Sequence, residues 1–282
     1  MAREAVIVDS VRTALTTASS LVLKPGEPLE IMLGVPAMAN GNQRFLTVEA
    51  FRQSGFDVIG LLNEPSAASI EYGHASRVKL SLARDTIIVY DLGGGTFDAS
   101  LVEMDAQRHE VLASEGIPTL GGDDFDEILA ELALDAAETG REVRDNLTQA
   151  GLFRLHEECR LKKEALHPNT RRLTIDLDAI REGWPSVQVP VSAFYERCQP
   201  MIEETVHAVE DLLRNRESSV EAVYVTGGSS ELPLVARALR ERYGRRVKRS
   251  AYPRSATAIG LAIQADTQAG YQLHETFTRN FG

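Results

Sequence analysis

Residues 91–98 read Asp-Leu-Gly-Gly-Gly-Thr-Phe-Asp, and this stretch decides how the rest of the sequence is interpreted. Residues 86–92 have the clearest strand pattern of the chain, and residues 96–104 resume a strand pattern after the three glycines. A strand, a glycine turn and a second strand predict a β-hairpin. Because glycine has no Cβ, the tip of such a hairpin can bring backbone N–H groups close to an anion.

The residues of this hairpin permit two interpretations. In the first, Gly93, Gly94 and Gly95 form a nest of N–H groups that binds phosphate. Thr96 then adds a hydroxyl donor, and Asp91 holds Mg²⁺ or its water shell. In the second, the hairpin is purely structural and its aspartate caps the turn. A Walker-type phosphate loop is excluded, because its lysine spacing is absent and the glycines lead into a strand.

The composition is that of a soluble globular protein, with 43% apolar and 25% charged residues among 282. The net charge of −11 argues against a general nucleic-acid binder. The sequence has neither an apolar run of membrane-spanning length nor a secretory signal, so we expect a cytoplasmic protein without a membrane partner. Cys159 and Cys198 are predicted to be reduced thiols, and the histidines have no metal-binding spacing.

Strands and helices alternate along the chain, which predicts an α/β fold. Besides the hairpin, strands are predicted at residues 5–8, 31–35, 58–62, 109–114, 171–177, 187–191 and 221–226. Helices are predicted at residues 42–54, 66–72, 125–137, 151–166, 192–214, 233–243 and 255–267. The face of the first helix is predicted from Phe45, Val48, Phe51 and Arg52. Asp123 and Asp124 are the predicted N-cap of the third helix, and Ser192 is predicted to open the fifth.

Several motifs occur in an order that is similar to one protein family. They are Val-Pro-Ala at 35–37, Asn-Gln-Arg at 42–44, Asn-Glu-Pro-Ser-Ala-Ala at 63–68, the hairpin, Leu-Gly-Gly-Asp-Asp-Phe-Asp at 120–126, Val-Thr-Gly-Gly-Ser-Ser at 225–230 and the helix at 256–265. Together they resemble the nucleotide-binding domain of the DnaK-type heat-shock chaperones, the Hsp70 family of the actin-like ATPase superfamily. The resemblance covers roughly residues 31–267.

The resemblance implies a two-lobed, ribonuclease H-like fold that binds ATP and Mg²⁺ and couples γ-phosphate hydrolysis to lobe closure. Catalytic roles are implied for Asp91, which would also hold the metal, for Glu64, which would orient the attacking water, and for Thr96. Nucleotide-binding roles are implied for Gly93, Gly94, Gly95, Gly227, Gly228, Ser229, Arg160 and Lys163. Without the resemblance, Glu64 is explained as a helix N-terminal carboxylate, and the two later glycines as a strand-to-helix turn.

The sequence departs from the family at the slot for the base. Glu231 stands where the family usually has an Arg that stacks on the base. On the opposite side, Arg160, Lys163 and Glu164 stand where the family has Glu, Lys and Arg. We therefore expect a relaxed base preference, with ATP and GTP binding within about tenfold of each other. Arg160 is the candidate replacement for the missing stacking residue.

A second departure lies in the first lobe, which the sequence predicts to be incomplete. The family has a glycine-rich first phosphate loop and a catalytic Lys ahead of the segment that matches 35–37. Here Asp9–Thr13 contains no glycine, and Lys24 is the only early lysine. Residues 3–13 instead resemble the opening strand of thiolases, although neither cysteine lies in a glycine-rich turn as a thiolase nucleophile would.

The predicted domains are residues 1–30 as an atypical start, 31–84 with 252–282 as a first-lobe remnant, 85–123 with 193–251 as the second-lobe core, and 124–192 as a helix-rich upper subdomain.

The predicted function is that of an ATP-binding chaperone-type domain with impaired hydrolysis. A non-catalytic nucleotide-binding or interaction fragment and a small-molecule kinase of the same superfamily are the alternatives. Expected partners are nucleotide, and co-chaperones or another chain that completes the fold. No segment matches a client-binding domain.

Overall fold

The computed structural model describes residues 29–37, 39–75, 85–105, 108–137, 147–214, 220–266, 269 and 272–275. The chain divides into two compact units. Unit 1 comprises Met1–Thr86, Leu101–Ser114 and Ser255–Gly282, and unit 2 comprises Ile87–Ser100 and Glu115–Arg254. The strand predicted at 5–8, the segment 9–13 and Lys24 lie outside the described residues. The predicted domain boundaries stay a prediction.

The described elements mix helices and strands, which confirms the predicted α/β class. The strands are β1 (Glu30–Val35), β2 (Asp57–Asn63), β3 (Asp85–Leu92), β4 (Phe97–Met104), β5 (Arg108–Ile117), β6 (Arg172–Asp176), β7 (Ser186–Pro190), β8 (Ala222–Thr226), β9 (Val247–Arg249) and β10 (Gln272–Glu275). The helices are α1 (Gly41–Gln53), α2 (Glu64–Ala75), α3 (Gly122–Ala136), α4 (Gln149–Glu164), α5 (Val191–Leu213), α6 (Pro233–Tyr243) and α7 (Ala256–Ala265). None of these described helices is both long and apolar enough to cross a membrane.

Unit 1 is organised around a close contact between α2 and α7. Strands β1 and β2 pair in parallel beside these helices, and β5 pairs in parallel with β10. Ala67 and Ala68 of α2 are fully buried. A Cβ atom on Gly260 of α7 would lie 1.8 Å from the carbonyl oxygen of Ala67. The two helix backbones can therefore approach this closely only because residue 260 is glycine.

Helix α1 begins with a reciprocal cap. The N–H of Gln43 donates to Asn40 Oδ1 at 3.0 Å, and the N–H of Asn40 donates to Gln43 Oε1 at 2.8 Å. The predicted apolar face is only partly correct, because Phe45 is 64% exposed while Ala50 is buried. Helical spacing identified the helix but did not show which of its apolar residues would be covered.

Unit 2 contains a sheet with the strand order β4-β3-β8-β9, in which β3 pairs in parallel with β8 and β8 with β9. Ile87, Ile88 and Tyr90 of β3 are fully buried. A continuous buried run is typical of a strand that is covered on both faces. The hydroxyl of Tyr90 shares a 2.7 Å hydrogen bond with that of Thr205 on α5, so the buried phenol has a partner.

The starts of two helices in unit 2 differ from the prediction. Helix α3 begins at Gly122, with Gly121 as its N-cap, and not at residue 125 after an aspartate cap. The carboxylate of Asp124 accepts the N–H of Gly121 at 2.8 Å, so it stabilises the helix start from within the first turn. Helix α5 begins at Val191 after Pro190, one residue before the predicted start.

The two cysteines are free thiols in the core of unit 2 and are expected to be unreactive. Cys159 on α4 and Cys198 on α5 are fully buried, and burial raises the pKa of each thiol to about 12. Because the thiolate is the reactive form, we expect an aromatic disulfide reagent at pH 8 to label the native protein at least about 10²-fold more slowly than the denatured protein. Rapid labelling of two thiols in the absence of denaturant would contradict this burial.

Candidate functional site

The predicted hairpin is present at the ends of β3 and β4. The N–H of Gly93 donates to the carbonyl of Thr96 at 2.9 Å, which closes the turn. Gly94, Gly95 and Thr96 are exposed at its tip, whereas Asp91 on β3 is half-buried. The tip is therefore accessible to a ligand, and the aspartate lies at the base of the turn.

The hairpin rests on the N-terminus of α3. The N–H of Gly122 donates to the carbonyl of Gly93 at 3.0 Å, and the N–H of Asp123 donates to the carbonyl of Gly94 at 2.7 Å. A Cβ atom on Gly121 would lie 2.5 Å from the same Gly94 carbonyl oxygen. The first-turn N–H groups of α3, which have no partner within the helix, thus fix the shape of the glycine turn.

A third glycine segment follows β8. Gly227 has φ of 84°, and a Cβ atom on it would lie 2.3 Å from the carbonyl oxygen of Leu92 and 2.4 Å from Asp91 Oδ1. A Cβ atom on Gly122 would lie 2.3 Å from Ser229 Oγ. The segments 93–95, 121–122 and 227–229 therefore meet at distances that only glycine permits.

These three segments border a cavity of about 140 Å³, which we name the glycine pocket. Its lining residues are Gly94, Gly122, Asp123, Asp126, Arg160, Lys163, Glu164, Leu166, Gly228, Ser229, Glu231, Leu232 and Arg254. Four of these side chains are acidic and three are basic. The walls alone therefore carry no excess of positive charge for an anion.

Lys163 and Asp126 are the two buried charged residues of the glycine pocket. Lys163 Nζ lies 2.8 Å from Asp126 Oδ1 and donates to the carbonyl of Gly122 at 2.6 Å, and both side chains of the ion pair are nearly inaccessible to solvent. Burial raises the pKa of the Asp126 carboxyl, and the adjacent ammonium group opposes that rise. Lys163 is thus held in place as a fixed positive charge at the pocket wall.

The rim of the glycine pocket carries a line of alternating charges. Arg160 pairs with Glu157 through two bonds of 3.0 and 2.7 Å and reaches Glu164 at 3.4 Å. Arg254 donates from Nη1 to Glu164 at 3.0 Å and from Nε to Glu231 at 2.8 Å. Sequence reasoning identified Arg160 here but missed Arg254, which belongs to none of the motifs. No local sequence signal indicated it, because Arg254 lies 23 residues after Glu231 and an exposed carboxylate needs no partner.

The structure brings together most, but not all, of the residues that the sequence singled out. Asp91, the hairpin glycines, Thr96, Lys163 and the segment 227–229 all belong to unit 2. Glu64 belongs to unit 1, where it is the first residue of α2. Among the residues that the structure describes, no three His, Cys, Asp or Glu side chains cluster as metal ligands do. A divalent cation would therefore need ligand oxygens in addition to one carboxylate.

The sheet, the glycine hairpin and the helix that follows it define the class of this protein as an α/β protein with the actin-like ATPase fold. The family profile described as Hsp70 protein matches residues 13–278. The chain belongs to the Hsp70 family, and this match also confirms the predicted fold.

Individual relatives agree with the family match. The chain is 36% identical over 248 residues to the chaperone protein HscA homolog of Pseudomonas putida, covering 87% of this chain and 38% of that protein. It is 34% identical to the chaperone protein dnaK of Thalassiosira pseudonana, covering 85% and 40%. It is 32% identical to the heat shock 70 kDa protein of Emericella nidulans, covering 89% and 41%. The chain thus spans about two fifths of the length of these relatives.

Proposed function

We propose that unit 2 binds the triphosphate of Mg²⁺–ATP at the glycine pocket. The observation that carries this proposal is the meeting of three glycine-containing segments beside Asp91, at separations that leave no room for a Cβ on Gly121, Gly122 or Gly227. Such segments expose backbone N–H groups, which bind phosphate without the bulk of a side chain. The tip residues Gly94, Gly95 and Thr96 are exposed and would contact the phosphates.

The charge around the glycine pocket supports a metal-dependent mode of binding. Its walls carry four acidic and three basic side chains, and the whole chain has a net charge of −11. A free triphosphate would therefore meet a repulsive field, whereas its Mg²⁺ complex carries less negative charge. Asp91 fits the role of the metal-linked carboxylate because it is half-buried beside the glycine turn and its carboxylate offers the oxygen ligands that Mg²⁺ prefers. Mg²⁺, when bound, neutralises charge on the transferring phosphate.

Each of the other candidate residues has one proposed role in binding or hydrolysis. Lys163 supplies a fixed positive charge at the pocket wall, and Gly228 and Ser229 let the backbone approach the nucleotide. Glu64 orients the attacking water, a role that rests on the resemblance alone. Catalysis of this kind depends on positioning and on preorganised charge. Coupling to lobe closure and to co-chaperones is proposed on the same family basis.

A second function, nucleotide binding without turnover, is favoured by one specific observation. Asp9–Thr13, the segment at the place of a first phosphate loop, has no glycine that would let its backbone approach a phosphate. A phosphate-release assay with and without candidate small-molecule acceptors distinguishes hydrolysis, binding alone and the kinase alternative. Release of inorganic phosphate without an acceptor indicates an ATPase. ADP that forms only with an acceptor, without free phosphate, indicates a kinase, because the γ-phosphate has moved to the acceptor.

The assignment of Asp91 leads to a prediction about magnesium. We expect Asp91→Asn to weaken ATP binding at least tenfold when Mg²⁺ is present, because a neutral amide loses the charge that holds the ion. With EDTA in place of Mg²⁺, the two proteins should bind ATP equally weakly. Calorimetric titration measures both affinities.

The matched control is Asp98→Asn on the same hairpin. Asp98 is a second carboxylate of this hairpin, but it is buried and therefore not accessible to a ligand. This burial also raises its pKa. We expect this variant to bind Mg²⁺–ATP within about twofold of the wild type. An equal loss of Mg²⁺–ATP affinity in the two variants would contradict the assignment of Asp91. A wild-type protein that does not detectably bind Mg²⁺–ATP would contradict the proposed function itself.

A further inference from the structure

The glycine pocket is too small to enclose a nucleotide, so the base has to lie on its rim. Its cavity of about 140 Å³ is below the range of roughly 300–1,000 Å³ that is typical of pockets for small-molecule ligands. With the phosphates near the glycines, as the proposed function requires, the base extends toward the charged rim formed by Glu157, Arg160, Glu164, Arg254 and Glu231. The rim therefore decides how a base is bound.

Arg254 crosses this rim from one wall to the other. It connects Glu164, the last residue of α4, to Glu231 in the 3₁₀ turn that follows β8. Arg160, by contrast, bonds to Glu157 and Glu164, which belong to its own helix. A planar ligand that enters over the pocket therefore meets the guanidinium of Arg254, whereas that of Arg160 is aligned along α4.

The position of Arg254 is fixed by its backbone and by its stem. The carbonyl of the preceding residue, Pro253, accepts the N–H of Gly227 and the hydroxyl of Thr226, each at 3.0 Å. The stem of Arg254 passes over Gly228, because a Cβ atom there would lie 3.6 Å from Arg254 Cγ. Two carboxylates then hold the guanidinium at Nε and Nη1, although the side chain remains 52% exposed. A guanidinium held in this way is a preorganised flat surface.

We propose that Arg254, clamped by Glu164 and Glu231, is the surface on which the nucleobase stacks in this chain. This inference rests on the proposed function and assigns its base-binding residue. A guanidinium stacks on an aromatic ring by its planar face, which the two in-plane ion pairs do not occupy. Stacking is tolerant of base identity, because every base has a π-face. The arrangement therefore also gives a physical reason for the expected small difference between ATP and GTP.

The test compares a ligand that has a base with one that lacks it. Affinities of the full chain for Mg²⁺–ATP and for Mg²⁺–tripolyphosphate are measured by calorimetry in the wild type, Arg254→Ala, Arg254→Lys and Arg160→Ala. We expect Arg254→Ala to bind ATP about tenfold more weakly, equivalent to about 1.4 kcal/mol, and tripolyphosphate within about twofold of the wild type. Arg254→Lys should lose most of the same affinity, because an ammonium group is not planar.

The control variants separate stacking from charge and from folding. Arg172→Ala removes an exposed cation from β6 and should bind ATP within about threefold of the wild type. Arg160→Ala tests the other arginine of the rim and should lose less ATP affinity than Arg254→Ala, whereas an equal or larger loss would overturn the assignment of Arg254. All variants should keep the wild-type unfolding midpoint within a few degrees. The stacking proposal is overturned if Arg254→Ala binds ATP as tightly as the wild type or more tightly. It is also overturned if that variant loses affinity for both ligands equally, since that loss reflects charge. In each of these cases ATP still binds the wild type, so the proposed function stands.

Discussion

We expect the purified 282-residue chain to hydrolyse ATP at least about 10²-fold more slowly than an Hsp70-family protein that has a glycine-rich first phosphate loop and the catalytic Lys. Phosphate charge in such sites is held from two sides, by one glycine loop from each lobe. In the proposed site the hairpin at 93–95 is one of these loops, whereas Asp9–Thr13 contains no glycine and no lysine matches the catalytic one.

The size of this effect follows from the loss of preorganised donors. Removing one such donor from an active site costs about 10²–10³ in rate. A missing loop and a missing lysine cost at least that much, although losses within one site do not add. Steady-state phosphate release, measured for both proteins in the same buffer, provides the comparison. Equal turnover would mean that Asp9, Arg12 and Thr13 act as a substitute loop.

The second large effect is expected from Gly227→Ala. Residue 227 has φ of 84°, and the added Cβ would lie 2.3 Å from the carbonyl oxygen of Leu92 and 2.4 Å from Asp91 Oδ1. Backbone strain and overpacking together should cost about 3 kcal/mol or more. Either β8 moves away from β3 or Asp91 is displaced. We therefore expect a lower free energy of unfolding and about 10²-fold weaker binding of Mg²⁺–ATP.

A glycine outside the glycine pocket provides a matched control for this substitution. Gly244→Ala isolates the backbone cost, because this residue has φ of 60° and the space around its Cβ position is open. Chemical denaturation and calorimetry give both quantities. A Gly227→Ala protein as stable as the wild type, with unchanged ATP affinity, would show that the contact with Asp91 is dispensable.

The two predictions test different parts of the proposed function. The Gly227→Ala experiment addresses only unit 2, where Gly227 and Asp91 both lie. The turnover experiment depends also on residues 9–13 and on Glu64, which unit 2 does not contain. Weak hydrolysis together with normal Mg²⁺–ATP affinity would therefore indicate a binding function carried by unit 2. Normal hydrolysis would require the first-lobe residues to contribute fully.

The helices and strands that the sequence predicted correctly are those whose boundaries depend on residues within a few positions. The β3–β4 hairpin followed from an apolar run broken by three glycines, and α6 was predicted with its observed ends, Pro233 and Tyr243. Proline is favoured in the first turn of a helix, and a glycine at the end stops it, so both signals lie within a few residues of the boundary. The order of the glycine motifs likewise predicted the family and the fold, whereas the roles of the site residues stay a prediction.

Only the tertiary structure decided which groups meet. The start of α3 was misplaced because its first N–H groups bond to the carbonyls of Gly93 and Gly94, and a rule for side-chain caps cannot show this. The ion pair between Arg254 and Glu164 joins residues that are 90 positions apart, so no local pattern predicts it. The spacing of residue types along the chain predicts only contacts within one turn, one helix or one strand. The contacts between distant segments depend on how helices and strands pack, and these contacts place Arg254 between Glu164 and Glu231.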